Sequence, residues 1–172
     1  MKDTILAIIR DGIWQYGVIP TTEISFEPEV VKACEQNVCG QYDACWTCPP
    51  AVGTPEQLSK KIRAYRYALV FTTKHELEDA YDYPGMLQAK TDHEALTRVL
   101  HTAVGKACPV FGAGGCGLCD ACRYPEPCVN PEKTFPSVEG CGINVTSLSK
   151  AAGINYINGE NTITYFSMAL FN

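Results

Sequence analysis

Residues 54–72, TPEQLSKKIRAYRYALVFT, carry the clearest local signal in the chain. Thr54 can cap a helix, Pro55 suits its first turn, and Gln57 stands three residues after the cap, where it completes a capping box. A helix is predicted to start here, with Leu58, Ile62 and Tyr65 along one face. Tyr67 to Thr72 then reads as a buried strand, because the run is continuously apolar and too short for a second helix. A helix feeding directly into a buried strand points to a layered α/β or α+β domain.

Downstream, residues 81–85 (YDYPG) make a turn. Met86 to Val104 follows with Met86, Ala89, His93, Leu96, Leu100 and Ala103 at spacings of three and four, which predicts the longest helix. Ala107 to Phe111 reads as a short strand and Val145 to Ala152 as a helix stopped by Gly153. Thr162 to Phe171 reads as a last apolar strand. Toward the N-terminus, residues 4–14 suit a short amphipathic helix, and Pro28 opens another with Val30, Val31 and Cys34 inward. The expectation is a single domain over residues 1–172, with a central mixed sheet, flanking helices and two cysteine-rich loops.

With 46% hydrophobic and 19% charged residues, 172 residues can bury a sizeable core without cross-links. The net charge of -5 argues against nucleic acid or an anionic membrane as partner. Lys2 is followed by Asp3, and Arg10 and Asp11 break the first apolar run, a pattern unlike a signal peptide or a membrane span. A cytoplasmic location is therefore expected. In that compartment closely spaced thiols hold metal more often than they form disulfides.

The ten cysteines fall mainly into two stretches. GGCGLCDACRYPEPC (114–128) places Cys116, Cys119 and Cys122 two residues apart in series and Cys128 five residues later. Such a loop can present successive thiolates to neighbouring irons of a four-iron four-sulfur cluster, with its amides turned to the sulfides. CEQNVCGQYDACWTCPP (34–50) holds Cys34, Cys39, Cys45 and Cys48. Cys48 leads as a ligand there because proline turns the chain away after it, Cys39 and Cys34 come next, and Cys45 is last. Tyr42 and Trp46 could shield a second cluster from water.

A structural zinc site joining Cys45 and Cys48 to Cys116 and Cys119 is the competing reading. The third close thiol, Cys122, weighs against it, since zinc takes such ligands in pairs. Cys108 reads as a buried small hydrophobe, while Cys141, between two glycines, could approach a cluster. His93 reads as a satisfied core histidine and His75 and His101 as exposed, while Glu139 could cap a helix or face the cluster loop, with the cap favoured.

CPPAVGTPEQL (48–58) and GGCGLCDACRYPEPC with PEKTFPSVEGCGINV (131–145) resemble a prokaryotic family known as predicted metal-binding proteins. The likeness extends over the chain beyond about Ser25, judged by motif order. It implies metal binding through Cys34, Cys39, Cys48, Cys116, Cys119, Cys122 and Cys128, and it includes Tyr42 and the segment Pro136 to Val145. Cys45 does not match a position of the family, which would allow a cluster with one open iron.

Three functions follow as expectations. One is electron transfer between a redox partner protein and an enzyme through one or two clusters. The second is reductive or Lewis-acid catalysis on a small-molecule substrate at an open iron, with a pocket beside the N-terminal loop. The third is a zinc-stabilised binding module. The oligomeric state is left open.

Overall fold

The computed structural model describes residues 1–172, which run in the order α1 (Lys2–Ile9), β1 (Gln15–Pro20), α2 (Pro28–Glu35), α3 (Pro55–Arg63), β2 (Tyr67–Glu76), α4 (Tyr83–Val104), β3 (Val110–Phe111), α5 (Val145–Ala151) and β4 (Thr162–Phe171). The capping box of α3 forms as its sequence predicts. The Thr54 hydroxyl accepts from the Gln57 amide, and the Gln57 side chain accepts from the Thr54 amide. Helix α4 starts three residues earlier than its apolar spacing suggests. Asp82 caps it through the Gly85 amide at 2.9 Å, and Pro84 occupies the first turn.

Four strands make one sheet in the order β1-β2-β4-β3. Every strand pair is antiparallel, so the fold is α+β and the expected mixed sheet is corrected on this point. The only parallel pairing is an isolated bridge between Gly112 and Ser137. Strands β2 and β4 form the centre. Ala68, Val70, Met168 and Leu170 point to one face, into a core with Leu58 and Ile62 of α3 and Leu148 of α5. Leu69, Phe71, Ala169 and Phe171 point to the other, against Ile5, Leu6 and Ile9 of α1 and Leu100 of α4. Helices cover both faces, which explains why the central strands read as unbroken apolar runs.

Strand β1 carries no strand signal of its own. Ile19 is its one buried residue, and Tyr16 and Val18 lie exposed on the uncovered part of the sheet. Its identity comes from pairing with β2, from Gln15 opposite Thr72 to Pro20 opposite Tyr67. Gly17 is required there because a Cβ would collide with the Ala152 carbonyl oxygen at the end of α5. On α4, Ala103 proves exposed, and the buried stripe takes in Glu94 and Thr97 instead.

His93 is a fully buried core histidine with both ring nitrogens occupied. Nδ1 meets the Thr73 hydroxyl at 2.8 Å and Nε2 the Ser167 hydroxyl at 2.7 Å. Burial, with the nearby charges of His75 and Lys90, pushes its pKa down to about 3. The unfolded chain protonates this ring near its ordinary value of about 6.5. The stabilisation is therefore complete above that pH and is lost as pH falls from about 6.5 toward 3. Between pH 7 and 5.5 this ring is expected to cost about 1 kcal/mol of stability. Urea midpoints of the native chain and of His93→Gln at both pH values test this, and an equal drop in both would refute it.

His75 and His101 are half-buried rather than exposed. His75 Nε2 reaches the Thr73 hydroxyl at 3.0 Å, while His101 Nδ1 is buried without a partner. Cys108 is fully buried in the core beneath α1 and α4. Cys141 is equally buried in the opposite core, and burial raises its thiol pKa to about 12.

Candidate metal centre

Helix α2 ends at Glu35 and releases residues 36–50, which curl through successive tight turns. Asn37 and Asp43 take left-handed backbone conformations, and the Asn37 side chain accepts from the Tyr42 amide at 3.0 Å. The Cys48 amide donates to the Cys45 carbonyl at 3.2 Å. That turn puts the two thiols side by side in the interior, with Cys45 at 1% and Cys48 at 7% exposure. The Cys45 sulfur lies 3.2 Å from the Thr47 hydroxyl, and the same hydroxyl accepts from the Cys116 amide at 3.0 Å. Thr47 thus joins the two cysteine loops, which lie about 70 residues apart in sequence.

Further contacts close the junction. The Trp46 indole donates to the Glu126 carbonyl at 2.9 Å and meets the Tyr124 ring edge-on at 5.0 Å. Gln41 packs so closely on Gly115 that a Cβ there would lie 2.5 Å from its amide oxygen. Trp46 therefore fastens one loop to the other, a role beyond the shielding expected of it.

A third segment enters the site. The turn over residues 136–142 lies under the N-terminal loop, with the Ser137 amide donating to the Thr47 carbonyl at 3.0 Å. The Cys48 sulfur is 3.8 Å from the Ser137 hydroxyl, and the Cys34 thiol donates to the Glu139 carbonyl at 4.0 Å. Glu139 does not cap a helix through its side chain; its carboxylate accepts from the Gly114 amide at 3.1 Å. Burial raises its pKa, while hydrogen bonds from its own amide and from Gly114 oppose the rise. Glu139 thus faces the C-terminal cysteine loop, the alternative to the favoured helix cap.

Helix α4 holds the C-terminal loop by its backbone. Buried Glu94 accepts from Lys90, from Arg98 at 3.0 Å and from the Gly117 amide at 3.1 Å. Lys90 also donates to the Gly115 carbonyl at 2.7 Å. Cys116 stands between these two gripped residues. Beyond it, the Asn130 amide donates to the Cys128 sulfur at 3.4 Å and the Asn130 side chain to the Cys119 sulfur at 3.7 Å.

The thiols differ in their readiness to ionise. Cys45 is lowered, first by a hydrogen bond from Cys48 and then by the Thr47 hydroxyl and amide and the Cys116 amide. Cys48 is raised by the same pairing and by burial. Burial also raises Cys116, opposed by the Leu118 amide and by the charge of Arg98. Cys34 is raised by burial and by its neighbours Cys39 and Glu139.

The sequence-derived ligands are therefore gathered in part. Cys45, Cys48 and Cys116 meet around Thr47, Cys34 lies across the 136–142 turn with Cys39 near it, and Cys119 and Cys128 share Asn130. Cys39, Cys119 and Cys122 are exposed, and all ten cysteines are free thiols. No three Cys, His, Asp or Glu side chains converge on one point. The donor set, thiols with amides aimed at several of the sulfurs, fits a thiolate-ligated metal.

A family model described as "Predicted metal-binding protein (DUF2284)" matches residues 17–171. The chain belongs to this family. The match takes in β1 from Gly17 onward, both cysteine loops, the 136–142 turn and all of β4, so the resemblance seen in the cysteine motifs reaches further toward the N-terminus than those motifs do. Membership establishes a predicted metal-binding protein. No curated protein and no solved structure matches the chain. No helix is long and apolar enough to cross a membrane.

Proposed function

We propose that this family member is an iron-sulfur protein that relays electrons, with four-iron four-sulfur clusters held by the two cysteine loops. The observation that carries the reading is the junction at Thr47, where a hydroxyl shared between the Cys45 sulfur and the Cys116 amide unites the loops on one scaffold. The C-terminal loop would hold one cluster through Cys116, Cys119, Cys122 and Cys128. The series of three close thiols calls for a centre with several metal positions rather than one ion. Cys34, Cys39 and Cys48, with Cys45 beside them, would hold a second. Such a cluster supplies one-electron oxidation and reduction when bound.

The chain's own groups prepare for thiolate ligation. Amides of Thr47, Cys116, Leu118 and Asn130 direct N–H bonds at sulfur, which favours the ionised ligand over the thiol. Lys90 and Arg98, which share the single carboxylate of Glu94, leave one net positive charge beside the C-terminal loop, partly offsetting the negative charge of a thiolate set. Trp46 and Tyr124 form an aromatic cover across the loop junction.

Anaerobic purification with iron, zinc and acid-labile sulfide analysis tests the reading. Iron and sulfide in equal amounts, at four or eight of each per chain, are expected. A colourless protein that holds zinc and no sulfide would refute it and favour a structural zinc junction.

A further inference from the structure

Strand β3 ends after Phe111 because the chain leaves the sheet at Gly112. The Gly112 amide donates to the Pro136 carbonyl at 2.9 Å, and its carbonyl accepts from the Val138 amide at 2.8 Å. Its ladder is thus made with the 136–138 turn and not with β4. Glycine is needed for this exit, since a Cβ would run into the Phe135 ring. Strand β4 meanwhile continues past β3, which pairs only with Met168 and Ala169.

The phase of the β2–β4 ladder fixes what this leaves uncovered. The Leu77 amide donates to the Asn161 carbonyl, so odd-numbered residues of β4 direct their backbone groups to β2. Even-numbered residues direct theirs away, as the Leu170 amide does in donating to the Pro109 carbonyl. Thr164 and Phe166 face the same way with no strand opposite them, Thr164 partly exposed and Phe166 only 3% exposed. Their outward N–H and C=O groups, about 7 Å apart along the strand, border a cavity of about 480 Å³.

The other polar side chains of this cavity are largely engaged. Asn144 donates to Glu27 at 2.6 Å, the Thr164 hydroxyl accepts from Asn158 at 2.9 Å, and the Tyr165 hydroxyl donates to the Met86 carbonyl at 2.9 Å. Glu139 is the one charged group in the lining; from outside the cavity the Gly114 amide donates to its carboxylate and the charge of Lys90 acts on it. Val30, Ile143 and Tyr156 supply apolar wall, with the Tyr156 ring stacked on Phe166 at 5.6 Å.

We infer that the uncovered edge of β4, centred on Thr164, receives an extended basic segment of a partner polypeptide, which pairs there as a short added strand and sets a lysine or arginine against Glu139. Alternating backbone donors and acceptors recognise a peptide main chain, and the lone carboxylate selects a cationic side chain on it. The segment would lie next to Cys34, whose thiol touches the Glu139 carbonyl. That the partner is a redox protein rests on the electron-relay reading; that the edge binds a peptide does not.

A fluorescent, end-capped nine-residue peptide of alternating threonine and lysine, titrated against the full chain, tests the pairing. Saturable binding is expected, with the amide of Thr164 protected from hydrogen exchange. Replacing lysine by glutamate should weaken it at least tenfold, as should N-methylation of the peptide backbone at unchanged charge. Thr164→Pro should do the same, because it removes an outward N–H that β2 does not use. Binding that is absent, or indifferent to peptide charge and to N-methylation, would overturn the inference. So would protection of the Thr164 amide by self-association in the peptide's absence, which would assign the edge to a second copy. Binding is read separately from metal content, so either result leaves the iron-sulfur reading to its own test.

Discussion

Cys116→Ser is expected to abolish metal binding at the C-terminal loop while leaving the fold intact. Serine keeps the size of the side chain and the backbone amide that donates to Thr47, so the loop junction survives. The thiolate is what disappears, and a neutral hydroxyl is a poor substitute for it at neutral pH. Burial raises the Cys116 thiol, so a metal must displace a proton to bind there. Metal uptake by the native chain should therefore weaken as pH falls. Iron and sulfide analysis of the variant beside Cys108→Ser gives the check, because Cys108 lies in the core beneath α1 and α4. The variant at Cys116 should lose close to half of a two-cluster content, or all of a single cluster, and Cys108→Ser should lose none. Full retention in Cys116→Ser would remove this residue from the ligand set.

The second large effect is expected at Glu94, which no motif singles out. Glu94→Ala leaves Lys90 and Arg98 without their carboxylate and the Gly117 amide without its acceptor. Uncompensated charge of this kind costs about 3 kcal/mol when the pair is buried. Lys90 and Arg98 keep some contact with solvent, which places the expected loss at about 2–3 kcal/mol. The loop would also lose its grip on either side of Cys116, so metal content should fall with stability. Glu94→Gln keeps an acceptor for Gly117 and should retain more metal than the alanine variant. Denaturant midpoints with and without metal, measured beside metal content, separate the two losses. An alanine variant with native midpoint and native metal content would show that α4 does not position the loop.

Local chemistry that acts over a few residues is legible in the amino-acid sequence alone. Thr54 to Gln57 form their capping box because cap, proline and glutamine need only one another. Thr162 to Phe171 reads as a strand over its observed span because apolar residues fill both of its faces, as helices on both sides of the sheet require. The two cysteine loops and the likeness to metal-binding proteins are readable for the same reason, since ligand spacing is a property of contiguous chain.

Effects that depend on a distant partner are not. Strand β1 is a strand because β2 lies beside it, and its own pattern, with Tyr16 and Val18 exposed, does not reveal it. Cys45 ranks last among the N-terminal ligands by spacing, yet folding buries it against Cys48 and brings it to Cys116 through Thr47. Glu139, before a glycine turn, could cap a helix or face the cluster loop, and the return of the chain at Gly112 decides for the loop by setting its carboxylate against Gly114.

Local spacing alone makes legible a layered α/β or α+β class, two thiol-rich loops and a metal-binding family, while the antiparallel pairing that makes the fold α+β comes from tertiary contacts. The tertiary structure decided how those loops meet, which helix grips them and where β4 is left uncovered. The physical reason is that spacing constrains neighbours, whereas Thr47, Glu94 and Gly112 act on residues that become neighbours only after the sheet has closed the distance between them.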